Sequence, residues 1–271
     1  MVAGFWNRRP CNLRHSAHPV GTRQYFDEVE NRKYFVESHI PGFAEFPRWN
    51  GKKVLEIGCG IGTDTVNFAR QGAFVTAVDL SERSLELAKT RAELYGLQDR
   101  IRFIQGNAEE LTRYVPTEPY DLIYSFGVLH HTPDPKRTLD QLRFYCHPET
   151  VVKLMFYHRY AWKVLGILLT HGNGRFWKLS ELVARYSETQ EGCLVTYIFS
   201  RNQLKALLRQ YGFIATDLRV DHIFPYSIPE YRQYRYVKVW YFRWIPRPVF
   251  RWLERHCGWH LCVTAKKARV Q

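Results

Sequence analysis

The chain has 271 residues, 45% of them hydrophobic and 15% aromatic, long enough to bury a core unaided and too apolar for a disordered chain. Lys and Arg outnumber Asp and Glu by 39 to 26, a formal charge of +13. No run of 18 apolar residues and no signal-peptide-like run is present, so no membrane-spanning helix is expected and the expected location is cytoplasmic.

In chain order, Gly21–Ile40 reads as helical. Val54–Ile57 is a short buried strand that runs into Gly58-Cys59-Gly60-Ile61-Gly62, and Thr63–Gln71 follows as a helix. Phe74–Asp79 reads as a strand. Ser81 is a helix cap, with Leu85, Leu87, Ala88, Ala92 and Leu94 as the apolar positions of a helix reaching Tyr95. Ile101–Gln105 and Tyr120–Phe126 read as strands, with a short helix at Ala108–Leu111 between them. Pro135–Tyr145 reads as a helix and Thr150–Phe156 as a strand. A mostly helical insertion at about 158–200 precedes a helix at Asn202–Tyr211 and a strand at Phe213–Asp221. An aromatic, basic insertion at about 223–256 leads to a last strand, Trp259–Lys266. Alternating strands and helices predict an α/β, Rossmann-like seven-stranded sheet, its last strand antiparallel, with helices on both faces and an inserted cap. Residues 1–50 are expected to join that cap, and residues 51–271 to form the main domain.

The charge is local. Residues 51–150 hold 12 basic and 14 acidic side chains, and residues 151–271 hold 20 and 7. An acidic partner is therefore expected at the second half. The six cysteines form no CxxC pair, so neither a disulfide framework nor a metal site is expected.

Glu56 through Gly62 carries the strongest signal. Glycines permit positive φ and bring backbone N–H groups close to a ligand. Asp79 ends the next strand, where a carboxylate can accept ribose hydroxyls. Glu56 would repel a pyrophosphate but suits a zwitterionic amino-acid tail, which disfavours NAD.

EIGCGIG, Asp79, GNAE at 106–109 and SFGVLHHTPDP at 125–135 together resemble the class I S-adenosylmethionine-dependent methyltransferases, nearest to the ubiquinone/menaquinone-type small-molecule branch. The resemblance spans roughly residues 50–157 and the last two strands. It implies S-adenosylmethionine as cofactor. Glu56, Gly58, Gly60 and Gly62 match the loop around the methionine part, with Cys59 as a small loop residue. Asp79 matches the ribose-binding acid, with Leu80 beside the adenine. Asn107 and Ala108 match the position that reads the adenine edge, where the family usually has Asp. Phe126 matches the fourth-strand end near the reacting methyl.

A hydroxyl acceptor benefits from a general base, and histidine is the natural one near neutral pH. His130 and His131 follow the fourth strand at the carboxyl edge of the sheet, and His131 is expected to line the site. Tyr157 and His158 end the fifth strand, and Asp221 and His222 end the sixth. These are further catalytic candidates, with an Asp–His pair a means of orienting a base.

Both insertions leave from that edge and are expected to form a lid. The second interleaves Tyr231, Tyr234, Tyr236, Trp240, Tyr241, Phe242, Trp244 and Trp252 with arginines. A packing role is expected for at least half of these aromatics. The acceptor expected under such a lid is a small anionic or aromatic molecule, with O-methylation favoured over N, S or C. A membrane surface with a lipid or quinone-like substrate is a second reading. RNA is the weakest, because SFGV stands where base-methylating relatives carry an (N/D)PP(Y/F) motif. Another use of the cofactor, or its non-catalytic binding, also stays open.

Overall fold

Alternate side chains of the central strands enter different cores, because a strand points successive residues to opposite faces. Val54, Tyr124, Met155 and Tyr157 belong to one core, and Leu55, Ile123, Leu154 and Phe156 to the other. The computed structural model describes residues 2–8, 10–186 and 195–268. Cys193 and residues 187–194 of the first insertion lie outside the described residues.

The N-terminal segment holds α1 (Val2–Arg8), α2 (Arg23–Val36) and α3 (Ile40–Ala44). The main unit continues with β1 (Lys53–Ile57), α4 (Thr63–Arg70), β2 (Phe74–Asp79), α5 (Glu82–Leu94), β3 (Ile101–Gln105), β4 (Tyr120–Phe126), α6 (Pro135–Leu142) and β5 (Cys146–His158). The first insertion carries α7 (Trp162–His171), α8 (Leu179–Tyr186) and β6 (Ile198–Phe199). After α9 (Arg201–Gln210) and β7 (Phe213–Asp221), the second carries α10 (Ile228–Arg232), α11 (Trp240–Arg243) and α12 (Arg247–Cys257). The described chain closes with β8 (His260–Lys267).

The sheet runs β3-β2-β1-β4-β5-β8-β7. β8 lies antiparallel between β5 and β7, pairing His260 with Tyr157 on one side and Asp221 on the other. The carboxyl ends of the parallel strands thus share one edge with the start of β8.

Three features differ from the sequence expectation. The described sheet has eight strands, because Ile198 and Phe199 pair parallel with Tyr157 and His158. The helix expected over Gly21–Ile40 is α2 alone; α3 starts separately, with Pro41 in its first turn, where a missing donor costs nothing. Of the eight lid aromatics, only Phe242 is buried, and Tyr231 and Tyr234 are half-buried. Trp240 and Trp244 are 78% and 80% exposed, so burial is confined to the tyrosine end of the segment and Phe242. No described helix is long and apolar enough to cross a membrane.

The N-terminal segment packs on the second insertion. The buried Arg32 guanidinium lies over the rings of Tyr231 and Tyr234, at 3.9 and 4.5 Å, and donates to the Tyr231 carbonyl. Phe35 meets Tyr236 at 4.6 Å. Trp162 of α7 meets Phe242 of α11 at 6.0 Å, joining the two insertions.

Candidate functional site

β1 delivers Glu56 and then three glycines to the shared edge. Gly58, Gly60 and Gly62 have φ of +75°, +55° and +76°, a region that side chains disfavour. A Cβ on Gly58 would lie 2.2 Å from Val128 Cγ2, and one on Gly62 3.0 Å from Ala88 Cβ. One on Gly60 would meet nothing within 4 Å. The outer glycines therefore serve close packing, and the middle one faces open space. Cys59 is buried beside them, and burial pushes its thiol pKa well up.

Glu56 is buried, with Thr65 Oγ1 donating to its Oε2 at 2.5 Å. Burial, and next the neighbouring Asp64 charge, push its carboxyl up to about 8. Asp79 accepts from the Gly60 amide at Oδ2 and from the Ser81 amide at Oδ1, both at 2.8 Å. Burial raises its pKa against the pull of those amides. Leu80 follows it, half-buried. Asn107 Oδ1 accepts from the Glu109 amide at 3.0 Å, capping the turn that contains the buried Ala108. α1 crosses this edge: the Trp6 carbonyl accepts from Ser81 Oγ at 3.4 Å, and its ring lies 5.7 Å from that of His131.

The donor set suits S-adenosylmethionine. Glu56 offers a buried acid to an ammonium, Asp79 a fixed carboxylate to ribose hydroxyls, and Asn107 an amide oxygen with a second lone pair to an adenine amine. Gly60 leaves the loop backbone open to approach.

Beyond β4 the candidates separate. His131 Nδ1 stands 3.1 Å from the Val195 carbonyl and 3.3 Å from Thr196 Oγ1. A proton on Nδ1 there makes Nε2 the basic nitrogen. His130 is wholly buried with its ring 3.8 Å from that of Tyr157. Burial, then the His131 charge, keep its pKa well below the usual value. Tyr157 is held between His130 and Trp259, whose ring is 4.1 Å away. His158 takes the opposite side of β5, with Nδ1 3.2 Å from the Gly258 carbonyl and a pKa lowered by burial. Asp221 stands 3.6 Å from Arg219. The expected Asp221–His222 arrangement gives way to one in which His222 joins His39 and His260, with ring centroids at 5.7 and 4.6 Å. Phe126 lies against the same two histidines, at 5.9 and 5.4 Å.

Sequence reasoning missed a second group under the loop. Asp64 accepts from Lys33 Nζ at 2.7 Å, Tyr34 OH at 2.9 Å and Tyr124 OH at 2.9 Å. Asp64 draws Lys33 upward in pKa despite the burial that opposes it. Arg91, fully buried, donates to Thr63 Oγ1 at 2.7 Å, Glu30 Oε2 at 2.7 Å and the Phe26 carbonyl at 3.2 Å. These contacts lock α2 onto α4 and α5. Asp64, two residues after the last loop glycine, was the one local signal available.

Comparison with known proteins bears on the family and the fold. A family model described as a methyltransferase domain matches residues 54–149. A ubiquinone biosynthesis O-methyltransferase of Psychrobacter cryohalolentis is 38% identical over 141 residues, 52% of this chain and 53% of that protein. The match therefore spans about half the length of that relative. One from Shewanella sp. (strain ANA-3) is 30% identical over 172 residues, covering 59% of this chain and 71% of that protein. A tRNA 5-carboxymethoxyuridine methyltransferase of Escherichia coli (strain K12) is 34% identical over 109 residues, 40% of this chain and 41% of that one. In fold, a magnesium protoporphyrin IX methyltransferase from Synechocystis PCC 6803 with bound SAH aligns at TM-score 0.57 and 16% identity, covering 98% of both chains.

Proposed function

The chain belongs to the S-adenosylmethionine-dependent methyltransferase family, and on that premise we propose that it transfers a methyl group to an oxygen of a small-molecule acceptor. S-adenosylmethionine supplies an already activated methyl, which leaves the protein to align, dry the site and take up a proton. Glu56 and Asp79 hold the cofactor, and Phe126 walls its reacting end. His131 is the base, oriented by the Val195 carbonyl. Residues 1–50 and the insertions at about 158–200 and 223–256 form the lid. The observation that carries this reading is that one sheet edge offers both the Gly60–Asp79 cradle and a histidine fixed through Nδ1, with Trp6 reaching from one to the other.

The test is a screen with methyl-labelled S-adenosylmethionine against phenolic and carboxylic acceptors and bulk tRNA. Label in a small-molecule ether or ester supports the reading, and label in tRNA alone overturns it. Binding of S-adenosylhomocysteine with no labelled product from any acceptor favours a non-methyl or purely binding role. His131→Ala should lower kcat by about 10²–10⁴-fold, the range of general-base catalysis, with S-adenosylhomocysteine affinity retained.

A specific observation favours a membrane-surface version of this function. Trp240, Trp244 and Trp252 are 78%, 80% and 57% exposed on the basic insertion, the pairing of indole and arginine that suits lipid headgroups. Such a lid would admit a quinone-like acceptor from the bilayer. Co-sedimentation with anionic vesicles should be lost in Trp240→Ala/Trp244→Ala, and failure of the unmodified protein to sediment removes this version.

A further inference from the structure

Four ionisable side chains outside the cofactor cradle meet at the same sheet edge. Glu37 caps the end of α2 and His39 precedes α3. His222 follows β7 and His260 opens β8. One ligand atom each from Glu37, His222 and His260 lies within 4.8 Å of the others. Glu37 Oε1 is 3.6 Å from His260 Nε2. A tetrahedral zinc ion with bonds of roughly 2.0–2.2 Å keeps its ligands about 3.4 Å apart, near the spacing found here.

The surroundings are those of a ligand set. His260 Nδ1 is 3.0 Å from His39 Nε2, and the His222 ring stacks on that of His260 with centroids 4.6 Å apart. His260 thus has an outer partner that fixes its ring and leaves Nε2, the nitrogen facing Glu37, for a ligand role. His222 holds φ at +72°, a strained value for a side-chain-bearing residue that the surrounding structure must impose. Its carbonyl accepts from the Trp259 amide at 2.7 Å. A Cβ on Gly258 would come within 2.3 Å of the Asp221 carbonyl oxygen, so the turn into β8 is clamped shut.

We propose that Glu37, His222 and His260 bind one first-row divalent metal ion of the zinc class, with His39 orienting His260 from behind. Two imidazoles and a carboxylate leave coordination positions open, as catalytic zinc sites do. Phe126 packs on His260 and His39, so the cluster borders the end of β4 where the acceptor is proposed to sit. An ion there would act as a Lewis acid on an oxygen-bearing acceptor. Only this last role rests on the proposed function; the binding site does not. The expectation of no metal came from cysteine spacing, which cannot register ligands drawn from both ends of the chain.

The full chain, stripped with a chelator, is titrated with Zn²⁺ by calorimetry and with Co²⁺ by visible absorption. About one equivalent should bind, with the d–d bands of a four- or five-coordinate nitrogen and oxygen site. Glu37→Gln, His222→Ala and His260→Ala should each weaken binding by more than about 100-fold, and His39→Ala by about 10–100-fold as an outer partner. S-adenosylhomocysteine binding, retained in each variant, reports an intact fold and is independent of methyl transfer. Sub-stoichiometric Zn²⁺ and Co²⁺ binding by the unmodified chain overturns the proposal and leaves a hydrogen-bonded Glu–His network. So does binding that these substitutions leave unchanged. If the variants do not fold, the titration of the unmodified chain decides alone.

Discussion

Gly58→Ala puts a methyl group where the backbone and the neighbour both oppose it. The φ of +75° lies in the left-handed region, which costs a residue with a Cβ roughly 1–2 kcal/mol. The added Cβ would stand 2.2 and 2.7 Å from the two γ carbons of Val128, and overpacking of that kind costs about 1–3 kcal/mol. The expected loss is therefore about 2–5 kcal/mol in urea denaturation. The two contributions separate in a double-mutant cycle. Val128→Ala removes both γ carbons but leaves its own Cβ 2.9 Å from the added methyl, so in that background Gly58→Ala should cost less than in the unmodified chain while keeping the backbone strain of about 1–2 kcal/mol. Val128 also opens the turn that carries His130 and His131. S-adenosylhomocysteine affinity should accordingly fall in Gly58→Ala and recover partly in the double variant. Equal costs in the two backgrounds would refute the steric account of this glycine, and a cost below about 0.5 kcal/mol, the level of an ordinary surface change, would refute the strain account too.

Two other consequences follow from buried charge. The folded pKa of Glu56, raised to about 8, means that the ligand-free folded chain holds a proton that the unfolded chain releases near its ordinary value. Its contribution to stability is therefore lost as pH rises from about 4.5 towards 8. Uptake of an ammonium-bearing cofactor should expel that proton, so affinity for S-adenosylhomocysteine should climb between pH 6 and 7.5 by up to about tenfold per unit; a flat profile, or a slope that survives Glu56→Gln, would sink this. Arg91→Ala strips three buried hydrogen bonds from the α2–α4–α5 junction and should cost about 3–5 kcal/mol. Urea titration of that variant checks it, and a loss under about 1 kcal/mol would show that the Arg70–Glu30 pair compensates.

The parts of the fold that local pattern controls were legible, and the parts that topology assembles were not. Phe74–Asp79, Ile101–Gln105, Tyr120–Phe126 and Phe213–Asp221 read as strands at the bounds observed, because period and turn residues are properties of neighbours in sequence. The glycine loop and Asp79 were legible for the same reason. Ile198–Phe199 was not: a two-residue strand has no period to detect, and only the end of β5 makes it one. His260 looked like any residue of a closing strand. The antiparallel return of β8 turns that position into a member of the site edge. Lys33 and Asp64 are unremarkable apart and decisive together, since only packing of α2 over α4 brings the ammonium to the carboxylate.

The charge of +13 gains its meaning from the same distinction. Composition placed the excess in the second half but could not say whether arginine and aromatic side chains face inward. The structure divides them. Arg32, from the first half, is the guanidinium enclosed by Tyr231 and Tyr234. The second half's own arginines on α12 stand exposed beside Trp252, on a helix with no buried residue. The inner side of α12 packs through the half-buried Phe250 on the buried Phe242, ring centroids 5.5 Å apart, which leaves Trp252 and the arginines on its outer side. On the proposed function that outer side belongs with the acceptor's delivery, and the positive charge with the proposed lid rather than with the methyl-transfer site.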